Sequence, residues 1–136
     1  MKLIDIRTMR WRVLAACDNR GDCPTLEILA DANSKAAKRM LNRLRQKVPE
    51  SGPEFRNDEK VKPLGDGIFE FREQPKKGPK PRVYFFCDGS NIVVCTGAFM
   101  KRNERISGYI EEAKNIREKY LADKMANDIE IESFEI

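Results

Sequence analysis

The sequence predicts an α+β fold: one antiparallel sheet built in the order strand, two helices, three strands and a C-terminal helix, with a possible extra C-terminal strand. Three observations carry this. Apolar residues alternate loosely in 2–16 and at period two in 67–73, form two runs at 82–87 and 92–99 joined by a polar turn, and recur at three- and four-residue steps in 37–48 and 110–121. Strings rich in Gly, Pro, Asn and Asp separate these stretches. With 136 residues, 40% hydrophobic and 35% charged, the chain suits a single core under a heavily charged surface.

The elements follow in order. Residues 2–16 place Ile4, Ile6, Trp11, Val13 and Leu14 in one or two short strands, and "DNRGDCP" (18–24) reads as a turn. Thr25 is positioned to cap a helix beginning at Leu26, with Glu27 in its first turn. Asn33-Ser34 interrupts and recaps it. Ala37, Met40, Leu41, Leu44 and Val48 then form the apolar stripe of a helix ending before Pro49. Its other face carries Lys35, Lys38, Arg39, Arg43, Arg45 and Lys47, a pattern that is usually solvated and sometimes binds a partner.

"PESGPEFRND" reads as a loop. In "GIFEFRE" (67–73), Phe69 and Phe71 point one way while Ile68, Glu70 and Arg72 point the other. "QPKKGPK" (74–80) is a connection holding three lysines. Strands at 82–87 and 92–99 pair through "DGSN" as a hairpin. Phe69, Phe71, Phe85 and Phe99 are assigned to the core. Ser107 caps a last helix whose stripe is Ile110, Ala113, Ile116, Arg117, Tyr120 and Leu121. "IEIESFEI" alternates and reads as an edge strand or a disordered tail. The organisation is one domain, 1–122, and an acidic tail, 123–136.

Charge is unevenly spread. The tail holds five acids against one base, a net of −4, which leaves +8 on 1–122 in a chain whose total is +4. A basic body suits a polyanionic partner such as nucleic acid. There is no histidine, and Cys17, Cys23, Cys87 and Cys95 form no CxxC pair, so no metal site is expected. Four scattered cysteines suit a reducing cytoplasm. "LAAC" (14–17) has the look of a lipoprotein cleavage site, but Asp5, Arg7, Arg10 and Arg12 precede it where export needs an apolar run. The stretch 83–100 is broken by "DGSN" and does not read as a membrane helix, so the expectation is a soluble cytoplasmic protein. Phosphate loops, dinucleotide fingerprints, Ser/His/Asp sets and HExxH motifs are absent.

Two basic groups stand out on the strands. Alternation puts Arg72 opposite the phenylalanines, and Arg82 opens the next strand, so an antiparallel pairing brings both guanidinium groups toward one phosphate. Lys101 and Arg102 follow the third strand, near the same edge. Tyr109, early in the last helix, is a candidate for proton transfer or for stacking on a base.

Residues 60–121 resemble the RelE/ParE toxin superfamily, and most of all its HigB-like, phage-derived branch. The likeness rests on "KVKPLGDGIFEFRE", on "PRVYFFCDGSNIVVCTGAFMKRNERIS" and on "YIEEAKNIREKYL". The first 60 residues match only in the order of their elements, and the acidic tail departs from the usual length. The resemblance implies a RelE-like fold and an endoribonuclease that cuts mRNA on the ribosome without a metal or other cofactor. It implies a cognate antitoxin, a small DNA-binding protein of helix-turn-helix type in this branch. Carried over by position, it makes Arg72, Arg82, Lys101, Arg102, Glu70 and Tyr109 the catalytic candidates. Lys62, Lys76, Lys77, Lys80 and Arg105 become backbone-binding cations. Glu70 stands where RelE has a lysine, which leaves it as either a base or an ion-pair partner. Tyr109 matches a RelE tyrosine only to within one residue. Two alternatives keep the fold without nuclease activity: a ParE-like gyrase inhibitor, or an inactive binding module whose acidic tail lies over the basic face.

Overall fold

The first sixteen residues fold back on themselves: β1 (Lys2–Thr8) and β2 (Arg12–Ala16) pair antiparallel, with Leu3 opposite Ala16 and Thr8 opposite Arg12. The computed structural model describes residues 1–30, 34–53, 60–73, 80–100 and 107–134, without the side chains of 98–100 and 107. Phe99's place in the core and the Ser107 cap therefore lie outside the described side chains.

Helix α1 spans Pro24–Leu29 and starts earlier than the expected cap at Thr25. Cys23 takes the N-cap position and Thr25 is buried inside the first turn. Pro24 explains the shift, since its fixed φ suits the first helical position and it has no N–H to leave unbonded. Helix α2 (Lys35–Asn42) begins as expected, with the Ser34 hydroxyl accepting the Ala37 N–H at 3.1 Å.

The predicted stop before Pro49 is corrected. A π-helical turn, Arg43–Lys47, carries the chain into α3 (Val48–Ser51), and the Val48 N–H reaches the Arg43 carbonyl five residues back. The wider turn lets Pro49 begin a new helical segment, where its missing N–H costs no hydrogen bond. Gly52 ends the run at φ +86, with the Trp11 indole 2.8 Å from where a Cβ would stand.

Four further strands follow: β3 (Val61–Gly65), β4 (Ile68–Arg72), β5 (Lys80–Asp88) and β6 (Asn91–Met100). Strand β3 holds Pro63, a residue that a central strand would not tolerate. It lies at the sheet edge, where a missing donor costs no ladder bond. After α4 (Ser107–Met125), the chain ends in β7 (Glu130–Ser133).

The seven strands run β3-β4-β5-β6-β2-β1-β7. The sheet is mixed, not purely antiparallel: β6 lies parallel to β2, and β7 parallel to β1. Both pairings join strands far apart in the chain, which no local alternation encodes. The acidic end is a strand beside β1, at the far end of the sheet from β4 and β5, with Phe134 below the Arg45 guanidinium at 5.9 Å.

Alternation divides the core between the sheet's two faces. Phe71, Val83, Phe85 and Val94 pack with Leu26, Leu29, Met40 and Leu44 of the first helices. Ile68, Tyr84, Phe86 and Val93 pack with Ala113 and Tyr120 of α4. Leu121, assigned to the α4 stripe, is instead 41% exposed. Polar ties hold α4 down. Tyr120 donates to Asp88 at 2.6 Å and Lys124 reaches the same carboxylate at 2.7 Å.

Candidate active site

The β4–β5 ladder sets the geometry of the site. Glu70 is the Cα partner of Tyr84, and Arg72 of Arg82. Side chains of directly paired residues share a face, so these four stand together on the side covered by α4. Lys62 on β3 and Thr96 on β6 extend the Glu70–Tyr84 row in both directions.

Glu70 is fully buried and lies between the two arginines. Arg72 donates its Nε–H to one carboxylate oxygen at 2.5 Å, while an Arg82 terminal nitrogen lies 3.7 Å from the other. Both arginine side chains keep some exposure, 22% each. Without the carboxylate, two cations on facing strands would repel each other. With it, they are held side by side, each still partly exposed.

Three buried polar atoms of this cluster make no hydrogen bond: the second oxygen of Glu70, Nε of Arg82 and the Tyr84 hydroxyl. Unsatisfied groups of this kind are costly in a core, and their gathering at one point marks a place kept polar. The Tyr84 hydroxyl is pushed well above the usual phenol range by burial first and by the Glu70 charge second. It therefore stays protonated at neutral pH, able to donate and unable to act as a base. Tyr109, from the first turns of α4, stacks near-parallel to the Tyr84 ring with centroids 6.1 Å apart.

A second buried ion pair supports the cluster from the opposite face of the sheet. Arg43, predicted for a solvated helix face, is buried. It donates to the Arg72 carbonyl at 2.5 Å and to the Glu73 carboxylate at 3.0 Å, with a longer contact to the Lys60 carbonyl at 3.4 Å. Its guanidinium also lies over the Phe71 ring at 5.3 Å. The acceptors exposed at the end of β4 draw the cation inward.

Of the expected site residues, Glu70, Arg72 and Arg82 come together, and Tyr109 joins them through Tyr84. Lys62 and Lys80 are exposed at the start of β3 and β5. Lys76, Lys77, Lys101, Arg102 and Arg105 lie outside the described residues. The chain does leave β6 at Met100, the Cα partner of Lys80, so Lys101 and Arg102 follow directly in sequence. Tyr84 was missed, although "RVY" places it two residues beyond Arg82 on the same face. Arg43 and Glu73 left no signal, because their meeting depends on helix and strand packing.

A cleft of about 650 Å³ opens elsewhere, between α4 and the β2–α1 connection, and includes Cys17, Thr25, Cys95 and Glu112. Its lysines Lys2 and Lys119 are already taken by Glu132 and Asp123. Among the described residues, no group of acidic and thiol side chains gathers to hold a metal ion, and no helix is long and apolar enough to cross a membrane.

What this arrangement can do is grip one phosphate group with two planar forks and offer a hydroxyl donor beside it. No curated protein matches the sequence. Residues 27–121 match the family model described as phage derived protein Gp49-like (DUF891), a span that begins within α1 and covers α2, α3, the β4–β5 cluster and most of α4. The chain belongs to this phage-derived, Gp49-like family, which is part of the RelE/ParE-like toxin group.

Proposed function

We propose that this chain is the toxin of a type II toxin–antitoxin pair of the HigB-like branch, and that it cuts mRNA on the ribosome. One observation carries the reading: Arg72 and Arg82 face each other across β4–β5, on either side of a buried carboxylate, with both side chains partly exposed. A toxin that worked only by binding a protein would have no need to focus two cations on one point.

In the reaction, the ribose 2′-oxygen attacks the adjacent phosphorus. A P–O2′ bond forms and the P–O5′ bond breaks, leaving a 2′,3′-cyclic phosphate and a 5′-hydroxyl. The 2′-hydroxyl loses its proton and the departing 5′-oxygen gains one. Arg72 and Arg82 hold the two non-bridging oxygens as the phosphorane gathers charge, the largest single contribution available to this site. Glu70, buried and paired on both sides, holds the arginines in place. Tyr84 supplies a hydrogen-bond donor, and Tyr109 packs over it. Lys101 and Arg102 are further proposed cations beyond β6, and Lys62, Lys76, Lys77, Lys80 and Arg105 grip the RNA backbone. The proposed partners are mRNA, the ribosome and a helix-turn-helix antitoxin.

The test is induced expression of the wild type beside Arg82→Ala, with growth and 5′-end mapping of mRNA. Growth arrest with cuts at translated codons, lost in the variant, is the expected result. Arrest with intact mRNA would instead favour the gyrase-directed alternative.

A further inference from the structure

Arg72 is the last residue of β4, the point at which a ladder loses its grip. Its N–H is bonded to the Lys60 carbonyl at 2.8 Å, so its own carbonyl faces the same side, where β3 has not yet begun. Arg43 donates to that carbonyl from the helical layer. One guanidinium, carried by the π-helical turn, binds the Arg72 carbonyl, contacts the Lys60 carbonyl and pairs with Glu73, the residue after Arg72. Arg39 approaches the other Glu73 oxygen at 3.6 Å.

Stability alone is a poor reason for this pair. Both members are less than one-tenth exposed, and a buried ion pair rarely outperforms well-packed apolar residues of the same volume. What it does supply is direction: a planar fork bonded to the Arg72 carbonyl and the Glu73 carboxylate, and touching the Lys60 carbonyl, leaves little freedom at Arg72. The Arg72 Nε–H must meet Glu70 while its remaining N–H groups stay beside those of Arg82.

We infer that Arg43, with Glu73, is a positioning pair that fixes the end of β4 so that Arg72 stands in register with Arg82. The inference rests on the proposed ribonuclease reading for its functional consequence, but not for its structural one. Arg43 touches no substrate; it acts through the backbone of Arg72.

The test compares wild type with Arg43→Met/Glu73→Gln, which removes the pair without leaving a buried charge unpartnered. The first readout is the Arg72 Nε–H signal in ¹⁵N spectra, assigned by Arg72→Lys. It should be sharp and slow to exchange in the wild type, and averaged in the double variant while the core amides stay protected. The second is RNA cleavage, where kcat should fall about a hundredfold with KM little changed, as expected when a catalytic group is misplaced by an ångström. If the double variant does not fold, Arg43→Lys is read instead, because an ammonium keeps the charge but lacks the planar fork. An Arg72 Nε–H signal unchanged in a folded variant overturns the inference. If the wild type cuts no RNA, the ribonuclease reading falls, and the Nε–H signal still decides whether Arg43 positions Arg72.

Discussion

Glu70 and Arg72 sit two residues apart on one strand, and the Arg72 Nε–H is bonded to a carboxylate that solvent does not reach. The pair joins strand alternation to electrostatics. Period two puts both side chains on one face, and the buried charge then decides where the guanidinium points.

Glu70→Gln keeps the shape of the side chain and removes the charge. The variant should lose about 1–3 kcal/mol of stability, since a charge-assisted bond becomes a neutral one beside two cations. It should also bind RNA with a steeper salt dependence, the slope of log K against log salt growing by about 0.7 for one uncovered cation. Urea titration and fluorescence anisotropy between about 50 and 200 mM salt read the two effects. An unchanged slope would mean that these arginines do not meet phosphate.

Gly97 is the Cα partner of Val83, and a Cβ there would stand 2.9 Å from the Arg82 carbonyl oxygen. That oxygen is backbone and moves only with β5. Gly97→Ala should therefore cost about 1–3 kcal/mol and shift Arg82 from its partner. Cleavage should fall even at temperatures where circular dichroism shows the variant fully folded.

Acid should loosen α4. The Asp88 carboxyl is held below its usual range, first by Lys124 and then by the Tyr120 hydroxyl. A group with a lowered folded pKa contributes its stability above the ordinary carboxylate range and loses it as pH falls through the folded value. Urea midpoints should therefore drop below about pH 4. Asp88→Asn should be less stable at pH 7 and lose less on acidification. Parallel curves for the two proteins would assign the acid response elsewhere.

Deleting 129–136 removes β7 and Phe134 from an edge, leaving β1 with an unpaired row of backbone groups. Thermal stability should fall, and self-association should rise in light scattering. RNA cleavage per folded molecule should not change, because β4 and β5 lie at the other end of the sheet. A gain in cleavage would mean that the acidic end restrains the site.

Much of this protein is written locally. The alternation in "GIFEFRE" placed Phe71 in one core layer and Glu70 and Arg72 on the other face, and the antiparallel pairing expected of the next strand set Arg82 beside Arg72. The Ser34 cap and the "DGSN" hairpin were legible for the same reason: each depends on a few adjacent residues.

Tertiary structure decided the rest. The parallel pairings of β6 with β2 and β7 with β1 join distant segments whose own patterns are silent about their neighbours. Pro63 became tolerable only because β3 is an edge, and Pro49 only because a π-helical turn precedes it. The largest change befell Arg43, which read as one more solvated helix charge. It was drawn inside by a carbonyl and a carboxylate at the end of a strand 29 residues away, acceptors that exist as a site only once helix and sheet have packed.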